Sequence, residues 1–230
     1  MASTGTYTWG PAASNLTMTA FARIGIRRTE ITAQHMSDAD SEANLLQVEM
    51  ASRVPNMWAQ EVYSIALVES TAEYSLPTRS VGIRDVYMRT TVNGVSTDRP
   101  MWPLSAADYD AQANKTLEAP PQSYYAQKSI TPTITLWPVP DGTATYSLKV
   151  RIMTQMQDVS QKAGATLDMP YRWLDVYVAG LAYRMSRIYA PDKEQLREKD
   201  YEKAWSNAAV LDVEDGTSLY IAPAMSGYWR

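Results

Sequence analysis

The chain has 230 residues and a formal charge of −4, length enough for a substantial core in one domain or two modest ones. It holds no cysteine, which excludes disulfides, cysteine-ligated zinc and thiol catalysis, and its acidic balance argues against a protein built mainly to grip nucleic acid. Its 15 Tyr and 7 Trp against one Phe are unusual, because both put a polar tip on an apolar body and suit half-wet strand faces or interfaces.

The opening segment, 1–16, lacks the basic start and apolar run of a signal peptide. No stretch approaches the roughly 18 apolar residues a membrane span needs. The chain therefore reads as soluble and intracellular when made, without a membrane partner. Thr17 is the expected cap of a first helix carrying Met18, Phe21, Ala22 and Ile24, with Gly25 near its end. Ser37 is the expected cap of a second, with Asp40 placed to reach back. Its stripe is Ala39, Ala43, Leu46, Met50 and Val54, and Pro55 stops it.

Residues 58–160 change character. Val62-Tyr63 and the apolar residues after them, a polar break at Glu69 to Ala72, and a further β-rich run give two strands and a turn. A strand over 81–91 runs into Asn93-Gly94, whose acceptance of positive φ marks a type I′ hairpin. One helical turn is expected after Ser105. Strands follow at 123–130 and 133–137, and the alternation Tyr146, Leu148, Val150, Ile152 marks the last. Six or seven short strands make this an antiparallel β-sandwich or small barrel.

Beyond Pro170 the period returns to 3.6. Tyr171, Leu174, Val178, Leu181, Met185 and Ile188 form one stripe, and Trp173, Tyr177 and Gly180 a second. A helix apolar on two sides is covered on both, inside a bundle or against another subunit. Pro191 opens a last helix whose apolar side is Tyr201, Ala204, Trp205, Ala208 and Leu211. The expected fold class is thus α+β. A helical bundle drawn from 17–57 and 161–212 carries the inserted β-domain 58–160, and 213–230 follows as an extended C-terminal arm. That arm holds Leu219, Tyr220, Ile221, Tyr228, Trp229 and Arg230, the kind of residues that anchor interfaces. It either folds back or waits for a partner.

Catalytic signatures are missing. His35 is the sole histidine and has no nucleophile motif beside it. The acidic run 38–42 lacks the glycine and closing glutamate of a calcium loop, and no phosphate cradle occurs. The reading is a non-enzyme without cofactor or metal.

The stretch "ITLWPVPDG", 134–142, sets Trp137 against Pro138 and Pro140. Together with "AFARIGI", "EANLLQVEM", "YSLPTRSVGIRDVYM", "PLSAADYDAQ" and "LDMPYRWLDVYVAGLAYRMSRIY", in this order and spacing, it resembles the head-to-tail adaptors of tailed bacteriophages, short-tailed ones among them. The similarity runs over about 18–211. It implies a virion protein at the head–tail junction, forming a dodecameric ring beneath the portal protein. Such a ring closes the filled head, meets a tail nozzle or tail tube protein, and lets double-stranded DNA pass without sequence recognition. It would set Trp173, Tyr177, Tyr201, Trp205 and the arm residues at subunit or portal interfaces. Trp137, Pro138 and Pro140 would form a stiff tail-side tip, or else a plain hairpin with Trp137 in the core. The competing expectation is a tail-associated receptor- or carbohydrate-binding module stacking exposed Tyr and Trp on sugars.

Overall fold

The computed structural model describes residues 9–53, 58–160 and 165–210. Helix α1 (Ala13–Ile24) begins one turn before Thr17, because the apolar row extends back through Leu16 to Ala13. Thr17 is therefore no cap but a fully buried residue of the inner face. At the other end Gly25, at φ 99°, closes a paired motif in which its N–H reaches Ala22 and that of Ile26 reaches the Phe21 carbonyl. Helix α2 (Ala33–Arg53) likewise starts a turn before Ser37. Its cap is Thr32, whose hydroxyl accepts from the His35 N–H at 3.3 Å while the His35 Nδ1 accepts the Thr32 N–H at 2.9 Å. A histidine thus fills the place glutamate usually takes in such a reciprocal cap. The stop expected at Pro55 lies outside the described residues.

The β-region is an open sandwich of eight strands: β1 (Gln60–Ala66), β2 (Glu73–Ser75), β3 (Ser80–Val92), β4 (Val95–Pro100), β5 (Trp102–Leu104), β6 (Ser123–Gln127), β7 (Thr133–Trp137) and β8 (Thr145–Thr154). They form two four-stranded sheets, ordered β1-β8-β3-β4 and β2-β7-β6-β5. The two sheets do not close into a barrel, and β5 runs parallel to β6, against the purely antiparallel expectation. The β3–β4 hairpin turns on Asn93 and Gly94 at φ 51° and 80°, as the Asn-Gly pair demands. Alternation fixes the register: Val150 faces Tyr63 and Val86 on its two neighbours, and Leu148 faces Ile65 and Met88. Helix α3 (Ala106–Asp110) follows Ser105, which caps it by accepting from the Asp108 N–H.

Helix α4 (Leu174–Tyr189) is preceded by a 3-10 turn, Tyr171–Trp173, and α5 (Glu194–Val210) by another, Pro191–Lys193. Contacts between α4 and α5 step in opposite senses, Arg187 to Glu194 and Tyr183 to Glu198, so the two helices are antiparallel. Tyr189 with Asp38 and Arg184 with Glu42 and Glu49 give the same sense for α4 against α2.

Buried residues fall into two clusters. One gathers α1, α2, α4 and α5 around Phe21, Leu46, Trp173 and Leu181; the other fills the sandwich around Ile134, Leu136, Leu148 and Ile152. Met156 and Val159, just past β8, belong to the helical cluster, and Asn44 exchanges two hydrogen bonds with the Val159 backbone. This pins the strand-to-helix passage onto α2.

Candidate interface surfaces

The Trp-Pro corner is not an exposed tip. Pro138, Val139 and Pro140 are buried and Trp137 is half-buried. The Trp137 indole donates to the Asn114 carbonyl at 3.0 Å. Val139 donates to the Leu117 carbonyl and accepts from the Ala119 N–H, both at 2.9 Å, and the 137–138 bond is cis. The corner is a seam that fastens the 114–119 segment onto the sandwich. Past it, partial dehydration opposes ionisation of Asp141, but hydrogen bonds from Thr143 and Tyr146 prevail and hold its carboxyl below the usual range.

Four aromatic residues expected at interfaces are core residues instead. Trp173 and Tyr177 are completely covered, Tyr201 almost so, and Trp205 is buried. Trp173 stands between Trp58 and Trp205, with ring centroids 5.1 and 5.0 Å away. The Arg53 guanidinium lies 4.7 Å from the Trp205 ring and 5.3 Å from that of Tyr201. The physical reason is geometric: α1, α2 and α5 all pack on α4, so both of its apolar rows are satisfied inside the protomer. Gly180 makes this possible, since a Cβ there would stand 2.7 Å from Leu46 Cδ1 and 2.8 Å from Tyr201 Cε2. The ends of the long stripe turn outward, leaving Tyr171 and Ile188 exposed. Leu219, Tyr220, Ile221, Tyr228, Trp229 and Arg230 lie outside the described residues.

Two exposed apolar features involve the helical unit. On the α1–α4 side Trp9 and Tyr171 meet edge to face at 5.7 Å and 78°, and stay 64% and 73% exposed. On the outer side of α2, Leu45, Val48 and Ala51 form one wall of a groove of about 510 Å³, with Val81 and Met156 opposite. Gln47 also lines it, 5% exposed, and its amide nitrogen has no hydrogen-bond partner among the described residues. Asp158 is the charged residue of the groove lining. A signal for this groove was present: Leu45, Val48 and Ala51 recur every third residue, a second row beside the core row of α2.

The ionic groups are structural. Arg184, largely buried, spans Glu42 at 3.0 Å and Glu49 at 2.8 Å, and Glu49 also accepts from the Tyr201 hydroxyl at 3.2 Å. Arg89 grips Asp98 across the β3–β4 pair with two 2.7 Å bonds, and this hydrogen bonding first of all holds the Asp98 carboxyl below its usual range. His35 is engaged at the α2 cap and 4.5 Å from the Tyr189 ring. Among the described residues no group of three or more His, Asp or Glu side chains is arranged to hold a metal ion. No described helix is long and apolar enough to cross a membrane.

The described residues form a helical unit joined to a β-sandwich, with apolar surface left exposed. The SU10 adaptor protein family matches residues 15–225, nearly the whole chain, and the chain belongs to that family. It is a structural adaptor of tailed bacteriophages and a virion component. No curated protein matches the chain. The family favours the adaptor over the carbohydrate-binding module.

Proposed function

We propose that copies of this chain join side by side into a ring seated between the capsid portal protein and the tail nozzle or tube. The ring closes the head once DNA is packaged and later forms part of the exit channel. The helical unit faces the portal, the β-sandwich faces the tail, and the arm residues from Leu219 to Arg230 reach toward the portal. Membership of the adaptor family over residues 15–225 carries this reading. Two features add support. The protomer keeps an apolar groove along α2 that its described residues leave open, and contiguous exposed apolar surface in a soluble protein marks an interaction site. The net charge of −4 suits a channel wall that DNA slides past without adhering.

Electron microscopy of the purified chain mixed with the portal protein of the same phage tests the proposal. A closed ring stacked coaxially on the portal is expected. Undecorated portals beside a monomeric chain would overturn it.

A further inference from the structure

The knob at Trp9 and Tyr171 and the groove along α2 stand on opposite flanks of the helical unit. On α4, the residues flanking the knob are Leu174, Asp175 and Val178, while Gly180 and Arg184 meet α2. At about 100° per residue these two sets lie roughly half a turn apart. The groove residues Leu45 and Val48 then point outward from α2, away from its α4-facing row of Ala39, Ala43, Leu46 and Met50. One flank therefore presents two exposed aromatic side chains at the rim of a cavity of about 320 Å³, and the other an apolar recess. A side-by-side contact that closes into a ring requires two different patches facing opposite ways; a two-fold contact would require one patch matching itself.

The chemistry of the two patches also corresponds. Tyr171 has an apolar ring and a hydroxyl, and its ring contact with Trp9 leaves most of the side chain exposed. The groove has apolar walls and is lined by Gln47, whose amide nitrogen is buried without an acceptor among the described residues. A buried donor left without an acceptor costs about 1–3 kcal/mol in mutational series, so a partner oxygen delivered there is favourable. Arg172 beside the knob and Asp158 in the groove lining carry opposite charges. We propose that a second copy of this chain occupies the groove. Tyr171 enters between Val48 and Val81 with its hydroxyl accepting from Gln47, Trp9 covers Leu45, and Arg172 approaches Asp158. The inference rests on the ring reading and names the surfaces that would make the ring.

The natural absence of cysteine makes the test direct. Two full-length single variants, Tyr171→Cys and Val48→Cys, are oxidised separately and as a mixture, while sedimentation of the same samples reports assembly. Both positions are exposed, so each variant should keep the wild-type far-UV dichroism and melting temperature. A disulfide dimer formed only in the mixture, and a ladder beyond dimer from a third chain carrying both substitutions, are the expected results. Multimers that sediment as a ring but give no mixed disulfide would overturn the contact and leave the ring standing. A disulfide within the Val48→Cys sample alone would overturn it in favour of a two-fold pairing. A chain that stays monomeric with and without its portal would overturn both.

Discussion

The aromatic residues of the helical core and those of its surface teach opposite things from the same residue types. Trp173 meets Trp58 at a tilt and Trp205 edge to face, and both Trp173 and Trp205 are hidden. Tyr171, two residues before Trp173, points out beside Trp9. The 3-10 turn Tyr171–Trp173 makes the difference, because side chains two apart on so tight a turn face different ways. Richness in Tyr and Trp is therefore no measure of interface. What counts is which flank of α4 each side chain leaves from.

The contrast can be broken most strongly at its buried end. Trp173→Ala should lose about 3–5 kcal/mol of protomer stability in denaturant unfolding, as large-to-small changes in tight cores do. Tyr171→Ala should stay within about 0.5 kcal/mol of wild type, as exposed substitutions do. Equal losses would erase the distinction between the two sites. A smaller effect is expected at Arg184, whose removal leaves Glu42 and Glu49 facing each other half-dehydrated. Arg184→Ala should cost about 2–3 kcal/mol. Adding Glu42→Gln and Glu49→Gln should recover part of that loss, and no recovery would show that packing, not charge, holds the site.

The smallest effect is alkaline. Burial first, then the hydrogen bond to Asp38 and its charge, push the Tyr189 phenol from 10.0 up to about 12. The folded chain binds this proton more tightly than the unfolded one. Its contribution is thus complete below pH 10 and fades as pH rises through about 12. Asp38→Asn should move that fading to lower pH, which ultraviolet titration of tyrosine alongside the melting temperature would reveal.

Much of the fold was legible because local chemistry and burial agree. Asn93-Gly94 gave its hairpin, Ser105 its capped turn, and the alternation through Tyr146 and Ile152 its strand. The helix starts were misread because Thr17 and Ser37 are good caps on paper. The apolar row of α1 begins earlier, and at α2 a histidine takes the partner's part, which capping patterns do not anticipate. The parallel β5–β6 pair depends on Trp102 meeting Ser123 across a long connection, and no local signal encodes that. The four aromatics were assigned outward because sequence shows that a helix is covered on two sides but not by what. Trp137 was similarly ambiguous, since a stiff corner can face solvent or, as here, bond to Asn114.

The central claim is that the α2 groove is assembly surface and carries little of the protomer's own stability. Native mass spectrometry of full-length wild type and Val48→Asp, with thermal melts of both, tests it most directly. Val48 is 58% exposed, so the variant should melt within a few degrees of wild type while staying as single chains where wild type forms the closed ring. A Val48→Asp chain that forms the same closed assembly as wild type would contradict the account.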